Sequence, residues 1–310
     1  MTKVITLGET LVEIMRPVAG QPLDQTGEFI GPFASGAPAI FAVASTRLGL
    51  PTAFIGAVGN DAFGRLLRTR LSMEGVDTSG LHTLPTYSTA VAFVAYEVTG
   101  GRDFVFHLHH SASSLLNLGS MTETFFEGVA WLHLSGSTIF INENSRAVCW
   151  QALKRTKNAG GKFSLDPNLR PELMPVKEAR EVLAPFISAA DLLLPTSTEA
   201  FALTGKSDID SAIKALNAKS DSIIVIKNGS DGCSIYNKYE RIDVASFPVE
   251  EIDPTGAGDC FSAAFVAGLE FNWPLQKIGR FANAAGALAV TKMGPMEGAP
   301  TRKEVEDFYA

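Results

Sequence analysis

Residues 252–261 read Ile252-Asp253-Pro254-Thr255-Gly256-Ala257-Gly258-Asp259-Cys260-Phe261 and join an extended segment to a helix. Phe247, Val249 and Ile252 mark the end of a strand or loop. Phe261, Ala264, Phe265, Gly268 and Leu269 then recur at helical spacing and give the helix a packing face. Glycines at such a helix start leave several backbone N–H groups unpaired and aligned, with the positive end of the helix dipole behind them. That arrangement binds anions, phosphate above all. An aspartate inside an anion site repels the ligand the site attracts. Asp259 makes sense there if it takes a proton, as a hydroxyl attacking a phosphate requires. The plainer alternative is a capped helix after a Gly-rich loop.

Outward from this stretch the chain alternates. Strands at 131–134, 162–166, 191–195 and 222–227 are interleaved with helices at 144–158, 176–188, 197–204 and 208–218. Ahead of them come a strand at 4–7 and a helix from about 38 to 48, opened by Ser35-Gly36-Ala37-Pro38 and stopped by Gly49. A strand at 52–58 leads through Gly59-Asn60-Asp61 into a helix at 62–74. Extended segments at 233–236 and 241–245 and helices at 274–292 and 301–309 complete the pattern. Such alternation predicts a parallel sheet covered on both faces, with ligands at the carboxyl ends of its strands. Two stretches depart from it. Residues 16–33 hold Pro17, Gly20, Pro22, Gly27, Gly31 and Pro32, too many breakers for a helix, so short strands or a loop fit. Residues 89–98 and 102–108 read as a hairpin turning at Thr99-Gly100-Gly101. Together they form a small β-rich appendage.

The 310 residues suffice for a large core, and 46% hydrophobic with 19% charged residues is an ordinary globular composition. A net charge of −7 and a pI near 5.3 argue against nucleic acid or an anionic membrane as partner. No apolar run is long enough to span a membrane, and the start lacks a signal-peptide core. Cys149, Cys233 and Cys260 lie far apart without metal-ligand spacing, so the expected setting is a reducing cytoplasm.

Acidic residues and special loops gather at the expected strand ends: Gly8-Glu9, Glu13, Gly36, Gly59-Asp61, Asp166-Pro167-Asn168-Leu169-Arg170, Glu199 and Gly229. Neither a P-loop nor a dinucleotide fingerprint occurs, so the anion site works through backbone amides. Phosphoryl transfer also calls for neutralised charge, usually by Mg²⁺, which Glu199 could organise through water. Glu199 reads equally as a first-turn acid favoured by the helix dipole. Asp166–Arg170 puts two acceptors and a guanidinium at a sheet edge, suited to phosphate or carboxylate, or else forms a turn with a surface arginine. His107 and His109 share a strand face by alternation but have no companion ligands; they line a substrate pocket or face solvent. Asn283 reaches a ligand or is a buried amide bonded to backbone.

With these residues assembled, the chain resembles the PfkB (ribokinase-type) carbohydrate kinases over nearly its whole length. Asp253 through Asp259 is similar to the family's second signature. Ser35-Gly36-Ala37-Pro38-Ala39 through Arg47-Leu48-Gly49, then Ile55 through Gly64, is similar to the first. The resemblance implies a ribokinase-like three-layer α/β/α sandwich: one kinase domain over 1–310 with a small β-sheet lid from about 14–34 and 88–110. It implies ATP and Mg²⁺ as cofactors, with K⁺ as a further candidate, and a homodimer through the lid as a candidate assembly. Asp259 would be the base, the amides of Ala257–Asp259 would form the anion hole, and Gly256, Ala257 and Gly258 would belong with Asp259 to the catalytic group. Glu13, Gly36, Ala37, His107 and Arg170 would lie on the sugar side. Asn168, Glu199, Lys227, Gly229, Gly232, Gly256, Gly258 and Asn283 would lie on the nucleotide side, with Glu199 towards the metal. Thr196 departs from the first position of the family's N-x-x-E motif. Ile40 replaces an asparagine that touches sugar in relatives, and Leu108 stands where ketodeoxygluconate kinases carry an arginine. The string Gly31 through Phe41 is similar to tagatose kinases. A neutral ketohexose, tagatose or fructose, is therefore the expected acceptor, ahead of 2-keto-3-deoxygluconate and nucleosides. A non-catalytic sugar-binding regulator is the alternative outside enzymes, and retention of Asp259 argues against it.

Overall fold

The computed structural model describes residues 3–98, 101–119, 121, 123–216 and 218–309. The chain begins β1 (Lys3–Leu7), β2 (Leu11–Met15), β3 (Ile30–Ser35), α1 (Ala37–Arg47), β4 (Thr52–Gly59), α2 (Ala62–Met73), β5 (Asp77–Leu84), β6 (Ala90–Tyr96) and β7 (Arg102–His107). It continues with β8 (Val129–Ser135), α3 (Gly136–Phe140), α4 (Glu143–Asn158), β9 (Lys162–Asp166), α5 (Val176–Ala189), β10 (Leu192–Leu193), α6 (Ser197–Thr204), α7 (Ile209–Ala215) and β11 (Ile223–Lys227). Last come β12 (Cys233–Tyr236), β13 (Arg241–Val244), α8 (Ala257–Glu270), α9 (Leu275–Ala289) and α10 (Arg302–Phe308).

Nine strands form the larger sheet in the order β13-β12-β11-β10-β9-β8-β1-β4-β5. Pairing is parallel from β11 to β5 and antiparallel for β12 and β13 at one edge. Successive residues point to opposite faces, and both faces are apolar. Val4, Phe54, Trp131 and Val225 pack with Phe41, Phe265 and Phe281 on one side. Ile5, Ile55, Leu132 and Ile226 pack with Phe140, Phe163 and Phe186 on the other. Each such side chain contributes about 1.5–3 kcal/mol by leaving water, so helices are held against both faces and three layers result.

From β1 the chain goes to β4 and β5 on one side, while β8 to β11 extend the sheet on the other. The order therefore reverses beside β1, where an open α/β sheet forms its binding crevice. Over that edge stands a second sheet, β3-β2-β6-β7. Alternation along β7 leaves Asp103, Val105 and His107 exposed, while Arg102, Phe104 and Phe106 are half-buried on the opposite face.

The elements differ from expectation where local composition misleads. β5 adds a strand where the sequence suggested none, because Asp-Thr-Ser-Gly-Leu-His-Thr-Leu is a half-exposed edge strand with few apolar residues. β2 was not anticipated as a strand, and residues 16–29 cross as a loop before β3 begins at Ile30. β10 has two residues because Pro195 has no N–H to prolong the ladder. α9 stops at Ala289, short of residue 292; the Val290 carbonyl is taken by the Ile252 and Asp253 amides at 2.8 and 3.1 Å. Of the expected hairpin turn, Thr99 and Gly100 lie outside the described residues.

Candidate active site

α8 starts at Gly256, whose φ of 85° is left-handed and whose Cβ, if present, would collide with the Pro295 carbonyl oxygen. Glycine is required there. The Gly258 and Asp259 amides find no carbonyl partner among the described residues, so they remain available to an anion at the dipole's positive end. The Asp259 carboxylate is buried and accepts no hydrogen bond from the described residues. Burial, then the charge of Asp166, raises it well above the usual carboxylate range, while Lys227 and Arg170 pull the other way.

Asp259 faces a cleft lined from many segments, Glu9, Glu13, Gly36, Arg102, Arg170 and Glu199 among them. Glu9 accepts the Ser137 and Thr138 hydroxyls of α3 at 2.6 and 2.5 Å. Glu13, on β2, accepts the Ser35 hydroxyl at 2.5 Å through Oε1, while buried Oε2 has no partner among the described residues. Burial raises its pKa to about 7 against the opposing Ser35 bond. Gly36 has a φ of 108°, and a Cβ there would lie 2.5 Å from the Glu9 carbonyl oxygen. Neither Arg102 nor Arg170 stands within ion-pair distance of a carboxylate among the described residues, although their fields stabilise the charged form of Glu13. Ile40 and Leu108 add apolar wall.

A second cleft adjoins the first and is largely apolar: Phe247, Pro248, Phe261, Ala287 and Val290, with Gly229, Gly232 and Gly286 keeping backbone accessible. Asn283 lines it, but its amide is committed, donating to the Val244 and Ala245 carbonyls at 2.9 and 3.1 Å and tying α9 to the chain after β13. Lys227, Pro254 and Gly258 belong to both clefts. At this junction the Lys227 ammonium lies 2.5 Å from Asp166.

The small sheet is tied to the anion loop through Asp253, which is fully buried. Its Oδ1 accepts the Tyr96 hydroxyl at 2.7 Å and the Thr255 amide at 2.9 Å; its Oδ2 accepts the Gly294 amide at 2.9 Å. Arg102 also donates to the Thr255 hydroxyl at 3.3 Å.

Of the residues singled out from sequence, Glu13, Gly36, Ala37, Arg170, Asp259, Gly256 and Gly258 meet in the first cleft, and Gly229, Gly232, Asn283 and Ala257 in the second. Asn168 and Glu199, expected on the nucleotide side, line the first cleft. Glu199 closes a capping box with Thr196 and also accepts the Leu169 amide at 2.8 Å, so the first-turn reading describes its bonds. His107 is not in the cleft: it is exposed on the outer face of β7, edge-on to Phe93, because 102, 104 and 106 take the inner face. His109 lies beyond the strand, in a turn. Arg102 was missed, although the same alternation, counted back from Leu108, would have found it.

A mainly parallel sheet, a helix start with free amides beside an unpaired aspartate, and two adjoining clefts fit a phosphotransferase of the α/β sandwich class. The pfkB family carbohydrate kinase model matches residues 1–302. Fructokinase-1 of Oryza sativa subsp. japonica is 34% identical, covering 97% of this chain and 96% of its own. An E. coli protein described as a ribokinase II, solved with ATP and Mg²⁺, superposes with a TM-score of 0.92 at 39% identity, covering 100% of this chain and 99% of its own. Fructokinase from Vibrio cholerae O395, solved with fructose, ADP and calcium, gives 0.88 at 29% identity, covering 100% and 99%. The chain belongs to the pfkB family of carbohydrate kinases, has the ribokinase-like fold, and is an ATP-dependent sugar kinase. The Oryza sativa and Vibrio cholerae relatives carry the name fructokinase rather than tagatose or ketodeoxygluconate kinase. Among the described residues no helix is long and apolar enough to cross a membrane.

Proposed function

We propose that the chain is a fructokinase in which Asp259 takes the proton of the primary C6 hydroxyl as that oxygen attacks the γ-phosphate of ATP. The observation that carries this reading is the Asp259 carboxylate, buried beside unpaired amides, free of internal hydrogen bonds and open to a cleft of sugar-sized polar groups. The fructokinase relatives favour fructose over tagatose. Glu13, with one orphaned carboxylate oxygen, serves as acceptor for a sugar hydroxyl, while Ile40 and Leu108 offer only apolar contact. ATP lies in the second cleft, its adenine between Phe247, Ala287 and Val290, and its phosphates towards Gly258.

No group of three or more ligating side chains exists among the described residues, which suits Mg²⁺ held mainly by phosphate and water. Glu199 fits that role, since a carboxylate offers about four acceptor sites and its internal bonds leave capacity to hold a metal-bound water. When bound, the ion neutralises phosphate charge. Potassium accompanies fructose and ADP in a double mutant of the Vibrio cholerae enzyme; comparing KCl with NaCl tests the same dependence here. The small sheet acts as a lid that keeps water from competing as acceptor. Its outer face, with Phe29 and Val105 exposed, is the surface for a homodimer, which light scattering checks.

A coupled ADP-release screen over fructose, tagatose, 2-keto-3-deoxygluconate, ribose and adenosine decides the acceptor. Fructose should give the highest kcat/KM. The acidic sugar belongs in the set because Arg102 and Arg170 both line the cleft with no ion pair among the described residues. A clear preference for it would overturn the neutral-ketohexose reading.

A further inference from the structure

Lys227 forms part of the wall between the two clefts. Its side chain is 11% exposed, its Asp166 partner 4%. A methyl group placed on Gly258 would lie 3.6 Å from the lysine nitrogen, so the ammonium hangs over the first turn of α8, beside the unpaired amides. Asp166 is itself held: Oδ1 accepts the Asn168 amide at 3.2 Å, and Oδ2 accepts the Ser262 hydroxyl at 3.4 Å as well as Lys227. The carboxylate is therefore a fixed post. An ammonium has three donors, and Asp166 is the only acceptor that Lys227 meets among the described residues. Two donors are left at the place where the clefts meet. A sequence without a P-loop lysine thus places a cation from the end of β11 between the two clefts.

We propose that Lys227 is a catalytic group that holds the phosphoryl group in transit between the clefts, and that Asp166 is the residue that positions it. The proposal rests on the assignment of Asp259 as base. The sugar hydroxyl passes its proton to the Asp259 carboxylate while its oxygen forms a bond to the γ-phosphorus. The bond from that phosphorus to the bridging oxygen breaks, and its electron pair stays on the β-phosphate of the departing ADP. Lys227 keeps its proton throughout and donates hydrogen bonds to oxygens of the transferring group, whose charge is the main demand of phosphoryl transfer. A buried lysine could otherwise serve only to neutralise Asp166, and a pair of that kind is dispensable when both members are removed together.

The test is Lys227→Met, Asp166→Asn and the double variant, assayed for kcat, both KM values and the pH profile. Lys227→Met should lower kcat by about 10²–10³-fold while KM for the sugar stays within about 3-fold. Because Lys227 and Asp166 act oppositely on Asp259, the acid limb of the profile should move up in pH in Lys227→Met and down in Asp166→Asn. The double variant, free of unpaired buried charge, should fold and stay as slow as Lys227→Met. Recovery of normal kcat in the double variant, or a Lys227→Met effect confined to KM for ATP, would overturn the proposal. If Asp259→Asn retains turnover while Lys227→Met is slow, the base assignment falls and the lysine stands.

Discussion

The two clefts share one helix start but are built by opposite means. The second draws on residues 227–290, a nearly contiguous run, and offers glycine backbone and apolar wall. The first draws on residues from Glu9 to Asp259, spread over both sheets, and concentrates charge: buried carboxylates at Glu9, Glu13 and Asp259, with Arg102, Arg170 and Lys227 set against them. Shape holds a ligand in the one. In the other, unfavourable burial of charge is the working material, since it keeps Asp259 and Glu13 basic.

Substitutions should therefore divide sharply. Asp259→Asn is expected to cost about 10³-fold or more in kcat, with ATP affinity by calorimetry little changed; substantial turnover would erase the distinction. Glu13→Gln tests the strain directly. In the native protein Glu13 holds its proton up to about pH 7 against an ordinary value of 4.5. Its contribution to stability is thus full below pH 4.5 and is lost as pH rises through 7, by roughly 3 kcal/mol in all. Urea melts from pH 4.5 to 8 should show that slope diminished in the variant; parallel slopes would mean the carboxyl is not strained. Gly286→Val intrudes on the second cleft alone, since a Cβ there meets only ordinary contacts at 3.5 and 3.7 Å. KM for ATP should rise about 10-fold or more, about 1.4 kcal/mol, with kcat at saturation kept; an equal effect on sugar KM would blur the boundary. The smallest effect is expected from Tyr96→Phe, about 1 kcal/mol by thermal melt, with KM for the sugar raised more than KM for ATP.

What was legible in the sequence follows the same divide. The anion loop could be read because its chemistry is local: two glycines, a helix and an acid within four residues. The large sheet could be read because strands buried on both faces carry continuous apolar runs, as at 53–59 in β4 and 223–226 in β11. β5 could not, because an edge strand may be half polar and still pair. Arg102 and the partners of Asp253 depend on where the small sheet sits over the large one, which no local spacing specifies. His107 was misplaced by choosing the wrong face of a strand whose alternation was right. Glu199 shows the converse: its structural bonds were foreseen, and they do not remove it from the cleft wall.

Asp253 gives the molecule an internal check on its own closure. Because its two oxygens grip Tyr96 of the small sheet, the Thr255 amide and the Gly294 amide together, the small sheet cannot swing outward without breaking the Tyr96 bond and leaving a fully buried carboxylate short of a partner. A displacement of the small sheet would thus be felt immediately beside the unpaired amides of α8. Under the proposed lid role, one side chain would hold together both the enclosure of the acceptor and the loop that presents the amides, so that ATP would go to sugar rather than to water.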